Sequence, residues 1–426
     1  MSPGPAGAWR GAVPGPENAI SPGSAQPDRW RILLLLSGAV LLGMSLWFSA
    51  SASGAQLAVR WGLTPSQGGW LTTVVQLGFV AGTALAALLN LADTLPLRRY
   101  FAVSAVLAAV ANALLLLAPG LEAALLLRFF TGFFLAGVYP PAMKMVSTWF
   151  VAERGLAIGA VVGALTVGKA APFLLYAAGG ASGAGVVILG ASAAGVGGAL
   201  LVLLTYRDGP YPFQRRPFSW GLAAEAIRHR ETRLATGGYL GHMWELYPMW
   251  TLVGLFLRDH YLSRGHTPEM AALLGALSAF AGIAAGGPGA LLAGALADRL
   301  GRERIAVVSM GVSGACALLV GWLVAAPTPL VLGLVLLWGF AVVADSAQFS
   351  AVVTERGVRH AVGTALTLQL SLGFLLSAVA IWVGVELQLR LGWGVSFSAL
   401  ALGPLAGISC MLLLARGGAP HGVAER

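Results

Sequence analysis

Apolar residues in this chain come in long uninterrupted runs, without the alternation of a strand or the one-faced stripe of a surface helix. Twelve runs stand out, at roughly 31–53, 67–90, 100–118, 121–146, 156–178, 184–205, 236–257, 270–293, 305–325, 329–352, 362–385 and 393–415. Each is about 20 residues long, the length a helix needs to cross the hydrocarbon core. In lipid only a helix or a closed barrel satisfies its own backbone polar groups. The pattern therefore predicts an all-α integral membrane protein with twelve transmembrane helices. Two runs open on a capping residue followed by proline, Thr64-Pro65 and Thr267-Pro268, where the missing proline donor costs nothing.

One long polar break, 206–235, divides the runs six and six, and the two halves share a vocabulary. Gly78 and Gly82 are followed by Asp93, Arg98 and Arg99; about 205 residues later Gly282 and Gly286 are followed by Asp298 and Arg302. Glu153-Arg154-Gly155 recurs as Glu355-Arg356-Gly357. A duplicated membrane domain explains this, and such duplication is a hallmark of transporters. The expected organisation is a disordered tail (1–30), two pseudo-symmetric six-helix bundles (31–205 and 236–415), a linker (206–235) and a short tail (416–426). The linker holds Arg207, Arg215, Arg216, Arg228, Arg230 and Arg233, with Trp220, Ile227 and Leu234 at helical spacing. That suggests a basic amphipathic helix on the membrane surface; a solvated charged loop is the alternative.

Composition agrees: 57% of residues are hydrophobic and 10% charged, against about 25% charged in a soluble domain. The net charge of +9 could suggest nucleic-acid binding, but topology accounts for it. Of 26 Lys and Arg, 20 fall on the side of the termini, four on the other (Arg60, Arg258, Arg264, Arg390) and two within spans. This positive-inside bias places both termini in the cytoplasm and the protein in the inner membrane, with no basic domain left for nucleic acid. Cys316 and Cys410 lie within apolar runs, which argues against a disulfide framework or a cysteine metal site. The Pro-, Gly- and Ser-rich start does not read as a secretory signal.

Gly159xxxGly163 joins the two earlier GxxxG pairs as a packing seam, since small residues let membrane helices approach closely. Pro140-Pro141 and Pro172 are expected to kink or unwind runs four and five.

Gly294-Ala-Leu-Ala-Asp298-Arg-Leu-Gly301-Arg302-Glu-Arg304 closely resembles the signature loop of the major facilitator superfamily. The first copy, Asn90-Leu-Ala-Asp93-Thr-Leu-Pro-Leu-Arg98-Arg99, keeps the acid and the basic pair but loses both glycines. Arg128-Phe-Phe-Thr-Gly132-Phe-Phe-Leu-Ala-Gly137 is similar to the superfamily's fourth-helix motif, whose arginine is often tied to proton coupling. The resemblance covers residues 30–415 and implies a central cavity lined by helices one, four, seven and ten, worked by a rocker switch. Gly159…Gly168…Pro172 matches the antiporter motif of helix five only in part, and the nitrate/nitrite signatures are absent. No subfamily follows.

Five ionisable side chains fall well inside the runs: Arg128, Lys169, His242, Glu245 and Asp345. A charge at the bilayer centre costs about 2.5–3.5 kcal/mol on insertion scales, so these groups must face a cavity or one another. His242 and Glu245, at i and i+3, share a helical face about 9 and 14 Å from that helix's start at 236. Their setting among Tyr239, Trp244, Tyr247, Met249 and Trp250 disfavours an ionised carboxylate, as a proton carrier requires. Glu245, His242 and Asp345 are thus candidates for proton coupling; the bland alternatives are a bracing pair with His242 or Arg128, and for Asp345 a cap or gate. Arg128, Lys169, Tyr139, Trp244 and Tyr247 are candidates to line the substrate cavity. Arg128 could equally be a structural ion pair. Lys169, one of two lysines against 24 arginines, could be a snorkelling residue. Asp93, Arg98, Arg99, Asp298, Arg302, Glu153, Arg154, Glu355 and Arg356 are candidate gating loops.

Gly163-Ala-Leu-Thr-Val-Gly168-Lys169-Ala170 mimics a phosphate-binding loop, but Ala170 replaces the magnesium-binding hydroxyl and the segment is membrane-embedded. No metal, cofactor or hydrolase motif is found. The sequence thus predicts a non-enzymatic secondary active transporter, monomeric, taking a small molecule, with an anion the candidate, and coupled to protons. An uncoupled facilitator, a proton-antiport exporter of amphipathic drugs and a non-transporting membrane sensor are the alternatives.

Overall fold

The computed structural model describes residues 27–150, 153–179, 183–211, 219–358 and 360–417. Among them every regular element is helical, and the helices make twelve membrane passages. Span one is broken into Pro27–Met44, Ser49–Ala52 and Gly54–Trp61. Span two is Pro65–Leu88, three Leu97–Leu114, and four Leu121–Leu135 continued by Tyr139–Ser147. Spans five and six are Arg154–Gly179 and Ala184–Thr205; seven is Arg230–Ser263. Span eight is Pro268–Ala284 plus Gly286–Leu300, nine Arg302–Val320, and ten Thr328–Ala344 plus Ser346–Arg356. Val362–Leu400 holds span eleven and, past a break at Gly392 (φ 82°), the start of span twelve, which Leu402–Gly417 completes. Among the described residues nine helical runs are long and apolar enough to cross a bilayer, the longest, Val362–Arg416, containing two passages. Spans one and seven complete the twelve: one is interrupted, and seven carries His242 and Glu245 at its middle.

Local chemistry sets the helix ends. Thr64 accepts from the Gln67 N–H at 3.3 Å and donates its own N–H to Gln67 Oε1 at 2.8 Å, a reciprocal cap. Thr267 caps span eight through the Met270 N–H at 3.3 Å. Glycine sets the seams. A Cβ on Gly78 or Gly82 of span two would strike the carbonyls of Phe129 and Phe133 in span four, and one on Gly132 would strike Val75. The second half repeats the seam between spans eight and ten, where Gly282 and Gly339 are backbone to backbone. Close approach supplies the dispersion contacts that hold helices together where burial from water cannot. The third pair, Gly159 and Gly163, packs on Ala290 and Gly287 of span eight, so this seam joins the two bundles.

Several expectations need adjustment. Span four breaks at Ala136–Val138, just before Pro140-Pro141, whereas span five runs helically through Pro172. A membrane helix tolerates such a proline when packed neighbours hold it in line, and span five lies against spans one and eight. Span seven begins at Arg230, ahead of 236, which puts His242 and Glu245 about 18 and 22 Å along it at 1.5 Å per residue. The linker helix is Trp220–Arg228, tied to the start of span eleven by His360 Nε2 and Glu225 Oε2 at 2.9 Å. Leu234 belongs to span seven, and Arg215 and Arg216, like most of both tails, lie outside the described residues.

Candidate functional site

Where the bundles meet at mid-depth, the ammonium of Lys169 in span five is 1% exposed and boxed by aromatic rings. Its Nζ lies 3.9 Å from the ring centre of Trp47 in span one, 4.5 Å from Tyr247 and 5.2 Å from Trp250 in span seven, and it donates to the Tyr247 hydroxyl. Phe79 of span two and Phe374 of span eleven, 4.5 Å apart, extend the cluster to Trp47 and Tyr247. No described carboxylate lies within ion-pair distance of Lys169. Each desolvated cation–ring contact contributes about 2 kcal/mol, against a burial cost of several kcal/mol for the ion. The rings offset much of that cost but provide no counter-charge. The indole N–H groups of Trp47 and Trp250, whose rings flank this charge, have no hydrogen-bond partner; in span two the amide of the fully buried Gln76 has none either.

Span one is broken at Ser45–Phe48, and Arg128 explains why that break is stable. The fully buried guanidinium donates to the carbonyls of Leu46 (3.1 Å), Trp47 and, through Nε, Leu71 of span two (3.2 Å). It also reaches Asn112 Oδ1 at 3.0 Å and Ser49 Oγ at 3.3 Å. Carbonyls freed by an interrupted membrane helix need such donors. Arg128 therefore meets Lys169 only indirectly, by fixing the backbone that carries Trp47.

The acids of the C-terminal bundle have separate partners. His242 Nδ1 and Asp345 Oδ1 are 2.8 Å apart, at ion-pair distance but off the hydrogen-bond axis, while His242 Nε2 lies 3.1 Å from Ser346 Oγ. Asp345 is the residue at which span ten breaks. Glu245 points into the bundle, accepting from Ser313 of span nine and Trp338 of span ten, both at 2.8 Å. His242 and Glu245 thus both reach span ten, at its break and at Trp338 respectively, and Glu245 also reaches span nine. Trp244 turns away from the bundle interface and donates to the Ala399 carbonyl at 3.0 Å; Tyr139 opens the second half of span four, half-buried.

The duplicated loops differ. Asp298 is 2.7 Å from Arg302, which is 3.0 Å from Glu355; Glu303 and Arg356 are 2.5 Å apart. Across the interface Asp298 faces Gly155 in the first turn of span five, close enough that a Cβ there would sit 3.2 Å from its carboxylate. In the first copy Asp93 pairs with Lys144, leaving Arg98 and Arg99 exposed. Glu153 binds Arg29 at 2.9 Å; the Arg154 side chain lies outside the described residues.

Sequence reasoning found the buried charges but missed Trp47 and Trp250 around Lys169, the unpartnered Gln76 of span two, Asn112 beside Arg128, and Ser313 and Trp338 on Glu245. Gln76 carried a signal, as a polar residue on a stripe with Thr72 and Thr83 inside an apolar run. The tryptophans carried none that separates them from lipid-facing aromatics.

A profile of the Major Facilitator Superfamily matches residues 35–381. The niacin transporter NiaP of Acinetobacter baylyi is 32% identical over 121 residues, covering 26% of this chain and 27% of that protein, so the match spans about a quarter of the curated relative. Among solved structures, a bacterial homologue of the human lysosomal transporter Spinster aligns in its inward-facing, occupied form with a TM-score of 0.65 and 16% identity, covering 92% of this chain and 98% of that one. Its inward-facing, unoccupied form aligns with a TM-score of 0.61 at 16% identity, covering 92% and 96%. With the profile match running through both bundles, from span one into span eleven, the chain belongs to the major facilitator superfamily of membrane transporters.

Proposed function

We propose that this protein moves a small organic anion across the inner membrane by alternating access, with Lys169 as the charge that receives it. The observation that carries this reading is a buried ammonium at the bundle interface, boxed by rings and lacking a carboxylate. An entering carboxylate gains a charge-assisted hydrogen bond there, and the unpartnered N–H groups of Trp47 and Trp250 supply further donors. The same cation opposes a lipophilic cation, which disfavours drug export. The rings suit a flat aromatic body, and niacin, an aromatic carboxylate, fits that description.

Contacts between the bundles at both ends support alternating access. At one end Ser66 of span two donates to Glu386 of span eleven at 3.1 Å; at the other, span five packs on span eight at Gly155, Gly159 and Gly163. Each set must part in turn for the site to face either side. Termini in the cytoplasm follow from the charge bias. For coupling, we assign the proton to the C-terminal acids. Asp345, at the break of span ten, is placed to change that helix when its contact with His242 is made or lost; Glu245 is held by neutral donors only.

Binding to purified protein tests the reading. Benzoate or nicotinate is expected to bind wild type, the amides benzamide and nicotinamide to bind weakly, and Lys169→Met to lose about 10- to 100-fold in affinity for the acids alone. An equal loss for acid and amide rejects Lys169 as the anion's partner.

A further inference from the structure

In the second Asp–Arg loop the charges are matched: Arg302 contacts Asp298 and Glu355, and Arg356 contacts Glu303. In the first, Lys144 occupies Asp93, and among the described residues Arg98 and Arg99 have no carboxylate within ion-pair distance. They stand at the first turn of span three, on one wall of a cleft of about 360 Å3 whose other wall is Tyr206, Arg207 and Asp208, just past span six. Three guanidiniums against the single carboxylate of Asp208 leave the cleft net positive. Tyr206 is 1% exposed, and its hydroxyl has no aligned hydrogen bond, although Thr148 and Trp149 lie beside it.

We propose that this cleft binds the phosphate headgroup of an anionic phospholipid in the leaflet on the side of the Asp93 loop. Arginine forks match phosphate oxygens two at a time. Tyr206 closes the cleft wall, and the N-terminal end of span three adds unsatisfied N–H groups and a favourable dipole. Asp208, at the rim, opposes a dianion more than the single charge of a phosphodiester. A lipid is favoured over free phosphate by what adjoins the cleft. Exposed Val103 and Val110 on span three and Leu200 and Leu204 on span six continue from it along the two helices, as acyl chains require. The loss of the glycines in this copy of the loop accompanies the change from a paired gate to an open basic site.

Native mass spectrometry of the full-length protein, titrated with phosphatidylglycerol or phosphatidylcholine of identical chains, tests the assignment. Wild type is expected to retain phosphatidylglycerol in preference to phosphatidylcholine. At about fivefold per arginine, Arg98→Gln/Arg99→Gln is expected to weaken phosphatidylglycerol about 30-fold and Arg207→Gln about fivefold. Arg264→Gln, on the opposite face, is expected to leave it unchanged, and all variants lie at exposed positions. Undiminished phosphatidylglycerol binding in the double variant, or equal retention of both lipids by wild type, overturns the proposal. Displacement of phosphatidylglycerol by millimolar inorganic phosphate assigns the cleft to a free anion and likewise overturns it.

Discussion

At the scale of single residues, burial of a charge is informative only together with its partners. Arg128 and Lys169 are both buried cations of the N-terminal bundle, yet they do opposite things. Arg128 is saturated by carbonyls and neutral side chains, whereas Lys169 is surrounded by rings beside unpartnered donors. Arg128→Met is therefore expected to destabilise the fold, because each abandoned buried carbonyl costs about 1–3 kcal/mol. Its thermal midpoint will fall well below that of Lys169→Met, which loses anion binding but keeps its midpoint near wild type. Comparable thermal losses in both would contradict the division. All five intramembrane ionisable residues were legible in the sequence, and all are buried. Their pairings were not. The i, i+3 spacing of His242 and Glu245 fixed a common face, but which helix meets each side chain depends on packing that no spacing encodes.

At the scale of elements, glycine and helix breaks organise the molecule. Capping at Thr64 and Thr267 and the GxxxG seams could be read directly, because each rests on local chemistry. The interruptions at Ser45–Phe48 and Asp345 could not, since no proline or glycine marks the break itself and the stabilising groups come from elsewhere in the chain. The proline expected to disturb span five leaves it helical. Seam glycines give a graded test. Gly78→Ala forces a Cβ into the Phe129 carbonyl, while Gly68 faces open space. Gly78→Ala is expected to cost about 1–3 kcal/mol by overpacking, read as a lower thermal midpoint, with Gly68→Ala close to wild type. If the two substitutions behave alike, the seam between spans two and four is not a determinant of stability. Coupling belongs to this scale as well. Asp345→Asn is expected to uncouple accumulation from a pH gradient while preserving counterflow exchange, and Glu245→Gln to do the same if the two acids share the proton. Gradient-driven accumulation retained by both variants places the coupling outside these two acids, whereas wild-type uptake that ignores the pH gradient points to an uncoupled facilitator.

At the scale of the whole molecule, the duplicated halves and the sign of their loop charges set topology, and the interface between them sets function. The orientation proposed rests on the loop charges alone: 20 of 26 basic residues fall on one side, a bias that acts during insertion. Labelling of single cysteines is expected to find position 264 accessible from outside intact cells and position 304 shielded. The interface was less legible, because it joins residues of both halves that are far apart in sequence. Asp298 faces span five across that interface, whereas Asp93 pairs with Lys144 within its own bundle. Asp298→Asn should accordingly impair flux more than Asp93→Asn. The central claim, that Lys169 receives an anion during transport, is tested most directly by uptake of radiolabelled nicotinate into proteoliposomes holding wild type or Lys169→Met. Wild type is expected to show concentrative, amide-insensitive uptake, and the variant none above empty vesicles. Nicotinate or benzoate uptake by Lys169→Met at the wild-type rate contradicts the claim.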